Sequence, residues 1–254
     1  MTHYGKSDIG QKRESNQDSF SIKSYGKDVL LAVVCDGMGG ISGGSIASDI
    51  ARDIFISNMA KLSEDLALQK KKSKKIILTE IEKSVELAND FLFDIAGRDV
   101  NLRGMGTTLV AALVSNTTLY ACNVGDSRLY RINANGITQV TKDHSYVQYL
   151  VDTGKITEDE AKTNKNKNLI MRAVGNDKSI DVDTFTIELN KEQSEYFLLC
   201  SDGLTGLVDD EEIFTIVNGK ETARASLKQK VECLVERANF LGGNDNITVV
   251  LIKT

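Results

Sequence analysis

The amino-acid sequence predicts an α+β fold in which antiparallel sheets are covered by helices. Three observations predict it. Runs of β-branched and apolar residues follow one another across the two-residue gaps Ser115-Asn116 and Gly125-Asp126, and junctions that short join antiparallel neighbours. Longer stretches carry apolar residues at spacings of three and four, the stripe of a helix buried on one side. These helical stretches lie between blocks of strands.

The elements follow in order. Val29–Cys35 is a continuous apolar run, which suits a buried strand. Gly37 to Gly44 is a glycine-rich turn. A helix follows it, with Ile46, Ile50, Ile54 and Ala47, Ala51 on one stripe. A second helix spans about Lys75 to Ala96, where Ile77, Ile81, Val85, Ala88 and Leu92 share a face, and Gly97 is its stop. The period then changes to strands at Thr107–Val114, Thr117–Val124 and Ser127–Ile132. Asn133-Ala134-Asn135-Gly136 marks a turn. Residues Asp143–Gly175 are polar, with an amphipathic piece at Tyr146–Val151 and a capped helix start at Thr157-Glu158-Asp159-Glu160. So long an excursion is either a functional segment or a mobile surface loop. Phe185, Ile187 and Leu189 alternate as a half-buried strand, and Tyr196–Cys200 reads as a buried one. Leu227, Val231, Leu234 and Ala238 mark a last helix, and Ile247–Ile252 a closing strand.

The 254 residues are 41% hydrophobic and 26% charged, enough for a real core and unlike a disordered chain. No linker or internal repeat interrupts them, so residues 1–254 read as one domain. There is no proline, and turns fall to Gly, Asn, Asp and Ser. A net charge of −5 argues against a nucleic-acid partner. No apolar run approaches the roughly 20 residues of a membrane span, and Met1 to Gln11 lacks an apolar signal core. A cytoplasmic protein without membrane insertion is expected, and a monomer. Cys35, Cys122 and Cys200 lie in strand-like runs and Cys233 on an apolar helical face; all four read as buried hydrophobes in a reducing compartment.

The chemistry lies in aspartates at glycine-marked strand ends. Asp36-Gly37 and Asp202-Gly203 each follow an apolar run, Asp245-Asn246 precedes one, and Asp18 closes Arg13-Glu14-Ser15-Asn16-Gln17-Asp18. One strand-end Asp-Gly is usually a turn. Two copies, with a third aspartate before another strand, point instead to carboxylates that need a positive partner. Hard oxygen ligands select Mg²⁺ or Mn²⁺. Such a set can hold two ions roughly 3.5–4 Å apart, the spacing of in-line phosphoryl displacement. Glycine after Asp36 lets the Gly37 carbonyl approach an ion as a further ligand. Zinc is disfavoured, because His3 and His144 are the only histidines and no Cys/His cluster has ligand spacing. Arg13 could bind phosphate oxygens bidentately, although alone it reads as a surface arginine. His144 reads as a packing or capping residue. Lys70-Lys71-Lys72-Ser73-Lys74-Lys75 reads as a solvated loop before a helix.

Together these residues resemble the PP2C-type (PPM) metal-dependent serine/threonine protein phosphatases in their compact bacterial form. The resemblance runs nearly end to end. It rests on Asp8-Ile9-Gly10 with Arg13, Asn16, Gln17 and Asp18, on Val34-Cys35-Asp36-Gly37-Met38-Gly39-Gly40, and on Gly104-Met105-Gly106-Thr107-Thr108. Asn123-Val124-Gly125-Asp126-Ser127-Arg128, Asp143-His144-Ser145, Ser201-Asp202-Gly203-Leu204 and Asn244-Asp245-Asn246 complete it. The order and spacing of these seven short motifs make the match specific.

The resemblance implies an αββα sandwich of two antiparallel sheets flanked by helices, with a metal cleft at one end and residues 143–175 as a flap beside it. It implies that Asp36 bridges two ions, that the Gly37 carbonyl binds one and that Asp202 and Asp245 bind the other. Asp18 would act mostly through water, and Asp126 with Asp202 would hold a third ion. Arg13 matches the phosphate-binding arginine. A hydroxide bridging the ions would attack phosphorus in line, hydrolysing phosphoserine and phosphothreonine on proteins without a phosphoenzyme. The expected partners are phosphoproteins and a eukaryotic-like Ser/Thr kinase. Three positions depart from the family pattern: Met38 where a histidine is common, Gln17 where an acid is frequent, and Asn164-Lys165 where a His-Pro pair is frequent. Two further readings carry less: a catalytically dead scaffold, against which the full aspartate set argues, and a switch phosphatase with a sensor domain, for which the chain has no room.

Overall fold

The computed structural model describes residues 1–190 and 193–254. Among them the chain forms two antiparallel sheets packed face to face, with helices on both outer faces. In chain order the elements are β1 (Thr2–Asp8), β2 (Asp18–Tyr25), β3 (Val29–Met38), α1 (Gly40–Ala67), α2 (Lys74–Arg98), β4 (Gly106–Thr107), β5 (Leu109–Ser115), β6 (Thr118–Val124), β7 (Arg128–Asn133) and β8 (Gly136–Gln139). There follow α3 (Tyr146–Asp152), α4 (Glu158–Lys162), β9 (Asp183–Glu188), β10 (Tyr196–Cys200), α5 (Asp202–Thr205), α6 (Asp210–Asn218), α7 (Leu227–Phe240) and β11 (Ile247–Lys253). One sheet runs β1-β11-β10-β7-β8. The other runs β2-β3-β5-β6-β9, with β4 paired to the end of β3.

Alternation along the central strands makes this sandwich. In β3, Leu31, Val33 and Cys35 face the layer under α1 and α2, while Leu30, Ala32 and Val34 face the opposite sheet. Both faces are covered, which is why the run is apolar without interruption. Strands β10 and β11 do the same, sending Leu198, Cys200, Val249 and Leu251 toward α6 and α7 and Phe197, Leu199, Val250 and Ile252 into the intersheet core. Helix α2 buries Ile77, Ile81, Val85, Ala88 and Leu92, the face its spacing predicts, and Ser73 caps it by accepting the Ile76 N–H.

Several expectations are corrected. Strand β7 pairs with β10 and β8, not with β6, so the chain changes sheets at Gly125–Ser127. Gly125 has φ +104°, open to glycine, and an added Cβ would lie 2.5 Å from Thr108 Cγ2. A two-residue gap read as joining antiparallel neighbours is therefore a crossing between layers. The glycine-rich turn is shorter than 37–44, because α1 already begins at Gly40. Gly97 does not end α2, which continues to Arg98 and is capped at Asp99. Cys233 is exposed on α7, whereas the other three cysteines are buried. Strands β1 and β2 and helix α6 were not anticipated, since the edge strands are only half-buried and lack an apolar run.

The excursion at 143–175 holds α3 and α4, with Thr157 and Glu160 forming the predicted capping box. Bridges Ser145↔Ile170 and Thr107↔Val174 close its base. Asn89 on α2 pins its return, accepting the Gly175 N–H at 2.8 Å and donating to the Asp177 carbonyl at 2.9 Å. Among the described residues no helix is long and apolar enough to cross a membrane.

Candidate active site

Strand register brings the aspartates to one end of the sandwich. Asp18 at the start of β2 stands opposite Asp36 near the end of β3. Across the core, Cys200 at the end of β10 is flanked by Arg128 of β7 and Val249 of β11. That places Asp126, Asp202 and Asp245, each within a few residues of these positions, at the matching end of the other sheet. Arg13 reaches the same point and donates from Nη2 to Asp245 Oδ2 at 2.7 Å.

Glycines permit the approach of the backbones. A Cβ on Gly37 would lie 2.1 Å from the Gly44 carbonyl oxygen, and one on Gly203 1.9 Å from the Asn246 carbonyl oxygen. Both contacts are to main chain, which cannot swing aside. The Asp-Gly pairs thus mark places where two segments press together beside a carboxylate.

Buried hydroxyls lock the two sheets across the cleft. Ser201 Oγ donates to Asp18 Oδ2 at 2.7 Å and accepts the Thr248 N–H at 2.9 Å. Thr108 Oγ1 accepts the Asp36 N–H at 2.9 Å and lies 2.7 Å from Ser127 Oγ, next to Asp126. Asn246 spends its whole amide on the 9–17 loop: Oδ1 accepts the Gln17 N–H, and Nδ2 donates to the Ile9 and Ser15 carbonyls. Sequence reasoning had quoted Ser201, Thr108, Ser127 and Asn246 within the motifs but given them no role, and had not named Thr248. Their only signal was a small polar residue beside each aspartate motif.

The electrostatics follow from crowding. Burial pushes the Asp36 carboxyl well above the usual carboxylate range, and Asp18, Asp202, Asp126 and Asp245 add repulsion. Asp126 is pushed up to about 8, first by burial and then by Asp202 and Asp143. Asp18 rises to about 6 through burial, although hydrogen bonds from Thr248 and Ser201 work against the rise. Asp202 is raised by burial and by Asp245, while a hydrogen bond with Asp36 opposes the shift. Arg13 is raised, chiefly by its bond to Asp245 and further by Asp202 and Asp36.

These groups fit a divalent cation. Asp18 Oδ1, Asp126 Oδ1 and Asp202 Oδ1 are buried oxygens without a hydrogen-bond partner, a state that costs free energy unless something positive meets them. No three His, Cys, Asp or Glu side chains among the described residues form a closed ligand set as they stand. The carboxylates share one neighbourhood and repel one another. The fit rests on the orphaned oxygens and the shared repulsion. Cys35 is no rival nucleophile, since burial pushes its thiol well above the ordinary value.

A family model described as Protein phosphatase 2C matches residues 5–237. The chain belongs to the protein phosphatase 2C family. It is similar to the serine/threonine phosphatase stp of Listeria welshimeri, 34% identical over 98% of this chain and 94% of the relative. It is also similar to the protein phosphatase PhpP of Streptococcus pneumoniae, 36% identical over 97% and 94%. Among solved structures it resembles the catalytic domain of the serine/threonine protein phosphatase PstP in complex with two manganese ions, with a TM-score of 0.79, 33% identity and coverage of 98% and 96%. The chain is a protein serine/threonine phosphatase of a metal-dependent family.

Within this PP2C domain, two motif residues serve one another. Arg128 forks onto Asp143, Nε to Oδ1 at 2.9 Å and Nη2 to Oδ2 at 2.7 Å, and donates from Nη1 to Tyr130. The pair ties β7 to the start of the flap. His144 packs as expected, its Nδ1 accepting the Gly125 N–H at 3.1 Å.

Proposed function

We propose that this phosphatase removes phosphate from seryl and threonyl side chains of proteins by direct in-line attack of hydroxide, with residues 1–254 acting as one domain. One observation carries the reading: acidic side chains from both sheets meet at one cleft, with buried oxygens that lack hydrogen-bond partners. Asp36, with the Gly37 carbonyl, and Asp202 and Asp245 would hold two Mn²⁺ or Mg²⁺ ions. Asp18 would support them, and Asp126 with Asp202 would hold a third. When bound, the ions supply the positive charge that acidifies water and offsets charge on the phosphoryl oxygens.

The chain's own groups do the rest. Arg13 stands at the rim, half exposed and bonded through one nitrogen to Asp245. Its remaining N–H groups are free to grip two phosphoryl oxygens and orient phosphorus. Ser201, Thr108 and Asn246 hold the carboxylates in register. Met38 cannot donate a proton, so the leaving seryl or threonyl oxygen takes its proton from water or from another residue. The buried Cys35 thiol offers no covalent route.

The phosphorylated residues would be set by a Ser/Thr protein kinase. The free, mostly buried cysteines suit a reducing cytoplasm, and the protein would act there as a monomer. The deciding experiment uses p-nitrophenyl phosphate and a phosphothreonine peptide. EDTA should abolish turnover of both, and excess Mn²⁺ should restore it. Turnover that survives thorough chelation refutes the reading.

A further inference from the structure

A hollow of about 280 Å³ opens beside the cleft, lined by Phe93, Ala96 and Gly97 of α2, by Arg103-Gly104 and by Gly175-Asn176. We propose that it receives an acidic side chain of the phosphoprotein substrate, held by Arg103. The proposal rests on the phosphatase reading and names what the enzyme would prefer next to the phosphorylated residue.

Position is the first argument. Val174, just before Gly175, bridges Thr107, and Thr107 stands opposite Gly37. On the other side, a Cβ on Gly39 would meet the Met105 Cα at 2.6 Å and the Gly104 carbonyl at 3.0 Å. The hollow therefore adjoins the segment that carries Asp36, and a peptide presenting its phosphate there passes the hollow with a neighbouring residue.

Charge is the second. Arg103 is exposed and has neither an ion pair nor a hydrogen bond among the described residues. Arg103 lines the hollow without an acid of its own, unlike Arg13, Arg128 and Arg131, which each hold a carboxylate. The C-terminal end of α2 opposes an anion here. A helix end carries about half a charge, however, and one of its carbonyls, that of Ile95, is already taken by the Asp99 N–H. The full charge of Arg103 outweighs it. Phe93, about one-third exposed, supplies an apolar wall for the methylenes of a glutamate.

Rigidity is the third. The Gly175 wall is fixed by Asn89, and a Cβ on Gly175 would lie 2.7 Å from Leu92 Cβ. The Arg103 loop is fixed by the Met105 N–H donating to the Leu102 carbonyl at 3.1 Å. A preformed site loses little freedom on binding.

The test compares phosphothreonine peptides that differ only by glutamate or glutamine, placed on the N-terminal or the C-terminal flank, with p-nitrophenyl phosphate as a substrate too small to reach the hollow. The wild-type protein with Mn²⁺ should favour the glutamate peptide of one flank by about threefold in kcat/KM, mostly through KM. Arg103→Gln should erase the preference and Arg103→Glu should invert it, both with p-nitrophenyl phosphate turnover within about twofold of wild type. Equal rates on all peptides, or a preference that survives in Arg103→Glu, would overturn the proposal. If wild-type protein hydrolyses the glutamate and glutamine peptides alike but still turns over p-nitrophenyl phosphate, this inference alone fails. If it turns over neither class, the phosphatase reading falls first and takes this proposal with it.

Discussion

Asp36 is a residue whose chemistry and stability pull in opposite directions. Its carboxyl is raised well above the usual range by burial and by four neighbouring aspartates. At neutral pH the ionised form is costly to the fold, yet it is the form a cation needs. Asp36→Asn should therefore lower p-nitrophenyl phosphate turnover in excess Mn²⁺ by at least about a hundredfold. The same variant should melt no lower than wild type in EDTA; a clear loss of melting temperature there would show that Asp36 is structural. Gly203→Ala acts through the backbone. Its Cβ would lie 1.9 Å from the Asn246 carbonyl, which forces the Asp245 loop away from Asp202. A destabilisation of about 2 kcal/mol is expected in urea unfolding, with turnover down by about a hundredfold from misplacement. Near-normal values of both would contradict that packing. The aspartates and their glycines were legible because a strand-end carboxylate has a distinctive pattern. Ser201, Thr108 and Thr248 were not, because a buried hydroxyl in a strand looks like any small polar residue until its cross-sheet partner is known.

Among the elements, α1 shows how local charge was only half legible. The lysine run at 70–75 was read as solvated. The run is exposed and leads into α2, as read, but the reading missed that Lys70 and Lys72 turn back to Asp65 near the end of α1, at 2.9 and 3.4 Å, where Lys61 joins them at 3.4 Å. The Lys70 hydrogen bond, then those of Lys61 and Lys72, hold the Asp65 carboxyl down at about 2. A carboxyl lowered on folding stabilises the protein at any pH above its unfolded value near 4, and that contribution fades as pH falls toward 2. Asp65→Asn should thus melt below wild type at pH 7, and the gap should close between about pH 4 and pH 2. A gap that stays constant with pH would assign the loss to packing. The crossing of the chain at Gly125–Ser127 was illegible for a different reason. A short gap between apolar runs signals antiparallel neighbours, and the sequence carries nothing that separates a hairpin from a step between layers, except that Gly125 needs a positive φ.

At the scale of the molecule, the layer order was legible because two-sided burial writes continuous apolar runs into β3, β10 and β11. The edge strands β1 and β2 were not, as half-exposed strands keep polar residues on one face. The site belongs to neither sheet alone: Asp18 and Asp36 come from one, and Asp126, Asp202 and Asp245 flank strands of the other. Contacts between residues so distant in sequence form late. After dilution from denaturant, helical far-UV signal should recover before p-nitrophenyl phosphate turnover, and simultaneous recovery would argue that the sheets dock at once. The partner strand of both β1 and β10 is β11, which follows both of them in the chain. A nascent chain that has not yet made β11 leaves β1 and one edge of β10 without a sheet partner, so the loop after β1, which carries Arg13, gains its seat only when β11 arrives.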